Sequence, residues 1–452
     1  MNPNIQPLSV LDNEGIRESL VKRIDQQKQA VGIVVGVIEP KGRRVVAYGN
    51  LANGDPRTVD GDTIFEIGSI TKVFTSLLLA DMANRKEVAL DDPSTRYLPE
   101  NVKMPERNGK SITLLDLSTH ASGLPRLPDN IKPKDLRNPY ADYSADDLYQ
   151  FLSGYTLPRD PGSEFEYSNL GAGLLGHLLA YRAGTDYESL IRIRITQPLS
   201  MPDTGITLPS SMQQRMATGH TAMLAPTANW DLPTLAGAGG LRSSANDILT
   251  FLEAFLGYKE SQLAPAMKAM LEVRRPAGEA KIGLGWLVIS PDDREIAWHS
   301  GDTGGFHSFV GFDPKERIGV VVLSNAGRVD DIGFHLLNPK LPLANPEPPK
   351  QHTEIHIDPK LLDNYTGRYQ VTPNLVFEIT RDGDRLFAQG FGQITGHAIV
   401  LPKFELFAEG EKDFFARVAD NQIAFETGPE GRATSLIMHR AGQTLAPGAR
   451  LS

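Results

Sequence analysis

Hydrophobic positions at the start of the chain follow first a helical and then a strand-like period. In residues 14–28 apolar side chains recur every three or four positions, which predicts a helix with one buried face. The apolar run VGIVVGVIE (31–39) is followed by a short turn and by RRVVAYG (43–49), which predicts a β-hairpin. The chain therefore begins with a helix and continues into antiparallel strands.

The pattern changes twice more before residue 340. From residue 70 to about 270 it is mainly helical, with loops that contain proline and glycine, and over 295–326 it returns to strands and turns. Strands at both ends of this region, with helices between them, predict one antiparallel sheet built from distant parts of the chain. We expect an α+β fold over residues 1–337, with helices flanking the sheet and a helical subdomain inserted into it.

A different pattern follows in the last quarter of the chain. The stretch NPKLPLANPEPPK contains five prolines and no apolar period, which predicts a linker over residues 338–352. After it, short alternating runs such as YTGRYQV, LVFEIT and FELFAE are closely spaced. Residues 353–452 are therefore expected to form a small all-β barrel or sandwich.

Composition narrows the choice of partners. The net charge of −9 comes from 46 basic and 55 acidic residues, and neither sign forms a long block. This argues against nucleic acid and favours a small molecule or a short peptide. The chain contains no cysteine, which excludes disulfides, thiolate metal sites and cysteine nucleophiles.

The sequence also bears on location. No run reaches the roughly 18 apolar residues of a membrane-spanning helix. The first 15 residues lack the basic and apolar regions of a signal peptide. We therefore expect no membrane span, and either a cytoplasmic protein or the mature form of a periplasmic or secreted one. The sequence leaves a homo-oligomer open.

Two serines precede a lysine by three residues. Ser19 and Lys22 belong to a charged surface helix, where this spacing has no special meaning. Ser69 and Lys72 instead lie between TIFEIG and the apolar run VFTSLLLADMA. A serine at a helix start is most often an N-cap. However, a lysine one turn later that heads into the core loses hydration, so its pKa falls and it can accept the proton of a nucleophilic serine.

Two further segments supply partners for such a serine. Tyr167 and Asn169 stand two apart in a loop just before a predicted helix, so both side chains can point the same way. His299 lies on a strand-like stretch that ends in glycines, which allow a substrate backbone to approach closely. Each residue alone is more often structural, and only their combination with Ser69 and Lys72 favours catalysis.

Other motifs fail for lack of context. The G-x-G-x-x-G match at 171–176 follows EFEYSN and not an apolar strand, so it does not predict a dinucleotide site. No serine has glycine at both −2 and +2, so the nucleophile elbow of α/β-hydrolases is absent. The histidines lack metal-ligand spacing, and His120, His177 and His220 are expected to pack in helices or loops. We expect neither a cofactor nor a metal.

The ordered segments FEIGSITKVFTSLLLADM, ITLLDLSTHASGLP, PGSEFEYSNLGAGLLGHLL and HSGDTGGF resemble one family. It is the family of serine β-lactamases and penicillin-binding D,D-peptidases, in the branch of class C β-lactamases, D-aminopeptidases and related esterases. The resemblance extends over about residues 15–330. The C-terminal region, which opens with YTGRYQV, resembles the lipocalin-like barrel that some members carry.

The resemblance implies roles for individual residues. Ser69 would be the acyl nucleophile, Lys72 its proton partner and Tyr167 the general base. Asn169 would hold the Lys72 ammonium and the substrate amide. The remaining implied residues bind substrate: His299, where many relatives have the lysine of a Lys-Thr-Gly triplet, with Ser300, Gly301 and Asp302, whose backbone N–H would complete the oxyanion hole with that of Ser69.

The family also implies the reaction. We expect an acyl-enzyme hydrolase of amide bonds, acting on a D-amino-acid-containing peptide as a D-aminopeptidase or D,D-carboxypeptidase. Histidine in the triplet is found more in peptidase-like relatives than in efficient β-lactamases, which implies β-lactams as ligands with weak β-lactamase activity. Two alternatives remain: a promiscuous carboxylesterase of the same family, and a penicillin-binding sensor with slow turnover.

Overall fold

The computed structural model describes residues 11–350, 352–373, 375–394, 397–400, 403–417, 421–440, 443–444 and 447–451. The N-terminal residues in which a signal peptide was sought lie partly outside this set. The chain divides into two compact units, and the main boundary falls between Asn345 and Pro346. This boundary lies inside the stretch that the sequence predicts as a linker. None of the helices in the described ranges has the length and apolar character needed to cross a bilayer.

The first unit is built on an antiparallel sheet, to which the described residues contribute eight strands. The predicted N-terminal hairpin forms one edge, and strands from 275 to 324 form the rest, so the sheet does combine distant parts of the chain. In spatial order the strands are Gly42–Gly49, Gly32–Glu39, Ile318–Ser324, His307–Asp313, Ile296–Asp302, Leu287–Ile289, Ala280–Ile282 and Arg275–Ala277.

Both faces of this sheet are covered, which explains why strand Gly32–Glu39 is a continuous apolar run. Alternate side chains of a strand point to opposite faces. One face packs in a core with helices Thr71–Asn84 and Ala245–Phe255, and the other packs with helices Asn13–Val21 and Asp330–Leu337. Val34 and Ile38 join the first core, whereas Ile33, Val35 and Val37 join the second.

The predicted inserted region is mainly helical. The N-terminal helix continues as a π-turn over Lys22–Gln26, and the helical positions of the unit cover both sides of the sheet. The remaining α-helices are Leu114–Ser118, Ala145–Gly154, Asn169–Ala183, Tyr187–Ile191, Gln197–Leu199, Ser210–Gln213, Ala236–Gly239 and Ala264–Glu272. Two short ladders pair Ile64–Glu66 with Arg242–Ser244 and Glu106–Arg107 with Lys110–Ser111.

The second unit is a closed antiparallel barrel, as the alternating C-terminal pattern predicts. Pairing between Leu375–Asp382 and Arg385–Ile394 closes a ring of eight strands in the described residues. The likeness to lipocalins stays a prediction. The other strands of the ring, in order from Leu375–Asp382, are Gly367–Thr372, Gly448–Leu451, Ala433–Arg440, Asn421–Thr427, Asp413–Ala416 and Phe404–Ala408; His397–Val400 and Gln443–Thr444 pair outside it, and residues 401–402 of a predicted strand lie outside the described set.

Candidate active site

Ser69 lies in a short turn that joins a strand to a long apolar helix. Strand Ile64–Glu66 leads into a 3-10 turn over Gly68–Ile70, and the α-helix runs over Thr71–Asn84. The sequence predicts that Ser69 opens the helix, whereas the regular α-helix begins two residues later. Neither the turn nor the helix has a side-chain N-cap. The Ser69 hydroxyl is therefore not used to cap the helix.

Lys72 is the buried amine that the sequence predicts beside this hydroxyl. Its side chain is 2% exposed, and its Nζ lies 2.8 Å from Ser69 Oγ, 2.9 Å from Asn169 Oδ1 and 2.7 Å from the carbonyl oxygen of Ala238. Burial, aided by the charge of Arg126, holds the pKa of Lys72 well below its usual range. The amine can therefore take a proton from Ser69.

Asn169 is fixed on both sides of its amide. It is the first residue of helix Asn169–Ala183, which Ser168 caps by accepting a hydrogen bond from the Gly171 N–H at 2.8 Å. Its Oδ1 contacts Lys72, and its side chain also forms a hydrogen bond with the hydroxyl of the buried Tyr140. The amide orientation is thus set by the site itself, and Tyr140 is a participant that the sequence did not reveal.

Tyr167 contacts the nucleophile from a second direction. Its side chain forms a hydrogen bond with Ser69, and its ring centroid lies 4.9 Å from Lys72 Nζ and 5.2 Å from Arg126 Cζ. Burial raises the pKa of Tyr167 to about 12, although the Ser69 hydrogen bond and the Arg126 charge act in the opposite direction. The phenol therefore carries its proton at neutral pH.

His120 holds the backbone on both sides of Tyr167. Its carbonyl oxygen accepts the N–H of Glu166 at 2.7 Å, and its Nδ1 accepts the N–H of Ser168 at 3.2 Å. Its ring lies 4.4 Å from the Tyr167 ring, and its backbone is left-handed, with φ +54°. Burial and the charge of Lys72 hold the pKa of His120 well below its usual range, so the ring is a neutral acceptor.

Strand Ile296–Asp302 forms the wall opposite the Ser69 turn. A Cβ atom on Gly301 would collide with the carbonyl oxygen of Ile67 and lie 2.9 Å from Ser69 N. A Cβ on Gly68, where φ is +47°, would lie 2.9 Å from Asp302 N. Two glycines thus let the backbone of the turn touch that of the strand, which brings the N–H groups of Ser69 and Asp302 into one region.

His299 is a buried and neutral residue of this wall. It is 3% exposed, and its Nδ1 donates to the carbonyl oxygen of Ser300 at 2.6 Å. Burial, followed by the nearby charge of Lys72, lowers the pKa of His299 to about 3, so the ring is neutral over the whole physiological range. In the described contacts Ser300 contributes its main-chain carbonyl oxygen, which accepts the hydrogen bond from His299. The ring therefore gains a charge only in strongly acidic solution.

The cleft over Ser69 has polar groups on one side and an apolar wall on the other. Its volume is about 320 Å³, and Tyr140 packs edge-on against Trp230 with centroids 5.2 Å apart. No group of three or more side chains in the described residues is placed to hold a metal ion. The lining residues are Ser69, Tyr140, Asn169, Trp230, Leu232, Leu235, Ala238, Gly239, Asp302 and Thr303.

Three contributors escaped the sequence analysis. His120 was expected only to pack, and Tyr140 and Arg126 were not singled out at all. The backbone oxygen of Arg126 accepts the Asn169 N–H at 3.0 Å, so the loop that contains it also holds the start of the helix. The available signal was the turn-rich segment HASGLPR beside a predicted helix, which has the composition of a functional loop.

Comparison with known families agrees with this geometry. A family model described as Beta-lactamase matches residues 17–333. A second model, described as a domain of unknown function (DUF3471), matches residues 351–448. The first match covers the sheet, most of the helical residues and every residue of the candidate site.

Two curated proteins illustrate the similarity. The D-alanyl-D-alanine-carboxypeptidase/endopeptidase AmpH of Escherichia coli (strain K12) is 31% identical over 312 residues, which are 65% of this chain and 79% of that protein. A beta-lactamase of the same strain is 28% identical over 353 residues, which are 69% of this chain and 88% of that protein.

Two solved structures share the fold of the first unit. A class C beta-lactamase from Rhodobacter sphaeroides has a TM-score of 0.62 and 26% identity, over 73% of this chain and 97% of its own. A beta-lactamase/D-alanine carboxypeptidase from Yersinia pestis, complexed with citrate, has a TM-score of 0.60 and 28% identity, over 68% of this chain and 93% of its own.

Proposed function

The chain belongs to the beta-lactamase family of serine hydrolases, and on that premise we propose that it hydrolyses an amide bond through an acyl-enzyme on Ser69. The observation that carries the proposal is the hydrogen bond between Ser69 Oγ and the buried Lys72 Nζ, at 2.8 Å. An unactivated serine is a weak nucleophile, and a desolvated amine next to it supplies the missing base.

In the proposed acylation, Ser69 Oγ attacks the carbonyl carbon while its proton passes to Lys72. The oxygen that becomes negative accepts hydrogen bonds from the N–H groups of Ser69 and Asp302. Tyr167, whose phenol is protonated at neutral pH, gives its proton to the leaving nitrogen as the carbon–nitrogen bond breaks. The Lys72 ammonium then returns a proton to the Tyr167 phenolate.

These proton-transfer roles differ from the role expected for Tyr167. The resemblance implies a general base, whereas a pKa raised to about 12 suits a proton donor better, and the depressed pKa of Lys72 suits the acceptor. In deacylation a water replaces the leaving group, and the same pair moves protons in reverse until the acid leaves and Ser69 regains its hydrogen.

The proposal also specifies a substrate class. We propose a short peptide with D-residues, cleaved in the manner of a D,D-carboxypeptidase or D-aminopeptidase, with β-lactams as weak substrates. The relative named as a carboxypeptidase/endopeptidase supports the peptide reading. A neutral His299 supports the alternative, a carboxylesterase that acts on uncharged esters, because the position expected to bind a substrate carboxylate carries no charge.

Mass spectrometry of the intact protein tests the acyl-enzyme. After incubation with a fluorophosphonate or a penicillin, we expect one adduct on the wild type and none on Ser69→Ala. Ser19→Ala, the matched serine on the N-terminal helix, should keep the adduct. An unmodified wild type, or an adduct that survives Ser69→Ala, would overturn the proposal.

A panel of four substrates tests the proposed substrate class. A D-aminoacyl anilide, a D-alanyl-D-alanine peptide, a p-nitrophenyl ester and a chromogenic cephalosporin present the same acyl chemistry with different leaving groups. Preference for one of the two D-peptide compounds supports the peptidase, and preference for the ester supports the alternative. A penicillin adduct that persists for hours would instead indicate a binding protein with slow turnover.

A further inference from the structure

Lys72 and His299, two basic side chains of the site, are already committed to other partners. Lys72 Nζ has three partners, in Ser69, Asn169 and the Ala238 carbonyl, so no N–H is left to face the cleft. His299 uses its Nδ1 proton on the carbonyl of Ser300, and its ring is neutral. A carboxylate brought into this cleft therefore needs another cation.

Arg126 is the cation placed to meet it. Its side chain is exposed, and its guanidinium lies over the ring of Tyr167, 5.2 Å from the centroid. Its backbone is held firmly, because its carbonyl oxygen accepts the N–H groups of Asn169 at 3.0 Å and Leu170 at 3.2 Å. Its described side-chain contact is with the Tyr167 ring, and it belongs to none of the ion pairs formed among the described residues within 4.0 Å.

The charge of Arg126 reaches the catalytic groups. It lowers the pKa of Lys72, of Tyr167 and of His120, which are the base, the proton donor and the residue that holds that donor. Such effects fall steeply with distance in a solvated cleft, so the guanidinium shares the space in which these groups meet substrate. An anion bound there would lie beside Tyr167.

Asp302, the acidic side chain that lines the cleft, is paired with other residues. Asp302 is 59% exposed, and its carboxylate lies 3.8 Å from Arg328 and 3.5 Å from His307. Arg328 is therefore the natural comparison for Arg126, since both are exposed arginines and each contacts a residue of the candidate site.

We propose that Arg126 binds a carboxylate carried by the leaving group of the substrate, whose carbon is two bonds from the atom that Tyr167 protonates. This inference rests on the proposed acyl-enzyme and names its substrate class: acyl compounds whose leaving group is an α-amino acid or an α-hydroxy acid with a free carboxylate. Guanidinium suits this role because it can bind a carboxylate through two parallel N–H bonds while it stays stacked on a tyrosine ring.

A pair of depsipeptides that differ only in charge tests this. One carries a D-lactate leaving group with a free carboxylate, and the other carries the corresponding lactamide. For the wild type we expect kcat/KM to be about 10- to 100-fold higher for the carboxylate, the range of a charge-assisted hydrogen bond. Arg126→Gln should bring the ratio close to one, and Arg126→Lys should keep part of it. Arg328→Gln should leave the ratio as in the wild type.

The ratio of the two kcat/KM values distinguishes carboxylate binding by Arg126 from a purely structural role of this residue. If Arg126 only supports Tyr167, Arg126→Gln lowers both values of kcat/KM and the ratio survives, which would overturn the inference. A wild type without preference, or a preference lost in Arg328→Gln instead, would overturn it as well. Failure of the proposed function looks different: neither depsipeptide is turned over, and the fluorophosphonate adduct on Ser69 does not form.

Discussion

The Ser19–Lys22 and Ser69–Lys72 segments have the same spacing, and the structure places them in opposite surroundings. Ser19 Oγ donates to the carbonyl of Gly15 at 2.9 Å, within its own helix, and Lys22 is exposed. Ser69 instead contacts Lys72, which is 2% exposed, and Tyr167, which lies far away in sequence.

The difference shows what spacing alone supplies. A separation of three residues puts two side chains on one helical face and does no more. Around Ser69 the apolar helix removes water from the amine, one distant segment brings a phenol and an amide, and strand Ile296–Asp302 brings its backbone. The reactivity of Ser69 therefore comes from surrounding groups that Ser19 and Lys22 lack. Substitutions can remove these groups one at a time.

Replacing each lysine with methionine should give the largest contrast between the segments. Lys72→Met removes the proton acceptor at similar volume, so we expect the rate at which a fluorophosphonate labels Ser69 to fall roughly 10³-fold. Lys22→Met should leave the rate unchanged. Quenched-flow labelling followed by intact mass measures both. Equal losses in the two variants would mean that the surroundings of Lys72 have no special role.

A smaller effect is expected from the residue that holds Tyr167. His120→Phe keeps a ring but loses the acceptor for the Ser168 N–H and strains a backbone with φ +54°, so we expect kcat to fall roughly 10²-fold. His120→Asn keeps an acceptor and tolerates this φ, so its loss should be about 10-fold.

The matched control is His177→Phe, which removes a half-buried histidine bonded to the Tyr149 hydroxyl at 2.7 Å. It should leave kcat unchanged, because this contact lies outside the candidate site. If His120→Asn is no better than His120→Phe in assays of folded protein, the hydrogen bond to Ser168 does not position Tyr167.

A roughly tenfold change in the folding equilibrium per pH unit is expected for the pH dependence of stability. The pKa of His299 is lowered from 6.5 to about 3 on folding. Between these values the unfolded chain binds a proton that the folded chain excludes. The stabilisation is thus fully present above pH 6.5 and is lost as the pH falls towards 3. The slope is about 1.4 kcal/mol in the free energy of unfolding per pH unit.

Urea unfolding at pH values on both sides of 6.5 measures this slope. The tryptophans Trp230, Trp286 and Trp298 all belong to the first unit, so their fluorescence reports on the unit that contains His299. His299→Gln should have a shallower slope than the wild type, and the exposed His356→Gln should not. Identical slopes in all three proteins would show that His299 is not a buried neutral histidine.

Much of this architecture could be predicted from the sequence. The hairpin, the inserted helical region and the C-terminal barrel have regular hydrophobic periods, and the structure confirms them. The grouping of Ser69, Lys72, Tyr167 and Asn169 was also predicted, and these side chains do form one hydrogen-bonded cluster. Their chemical roles stay proposals.

The rest depends on irregular backbone and on burial. His120, Arg126 and Tyr140 lie in loops without a period, and the left-handed φ of His120 has no sequence signature. The neutrality of His299 follows from tertiary packing that covers its strand, which no local pattern reveals. The 3-10 turn before Thr71 was missed because a helix start and a 3-10 turn have the same apolar pattern.

The contact between Gly301 and the Ser69 turn has a consequence for when the protein becomes reactive. The ribosome makes helix Thr71–Asn84 long before it makes strand Ile296–Asp302, and the wall beside Ser69 N exists only after that strand has docked. A growing chain therefore carries Ser69 without its complete site. Completion of the sheet completes the site, so synthesis of the chain itself sets the delay before its serine can be acylated.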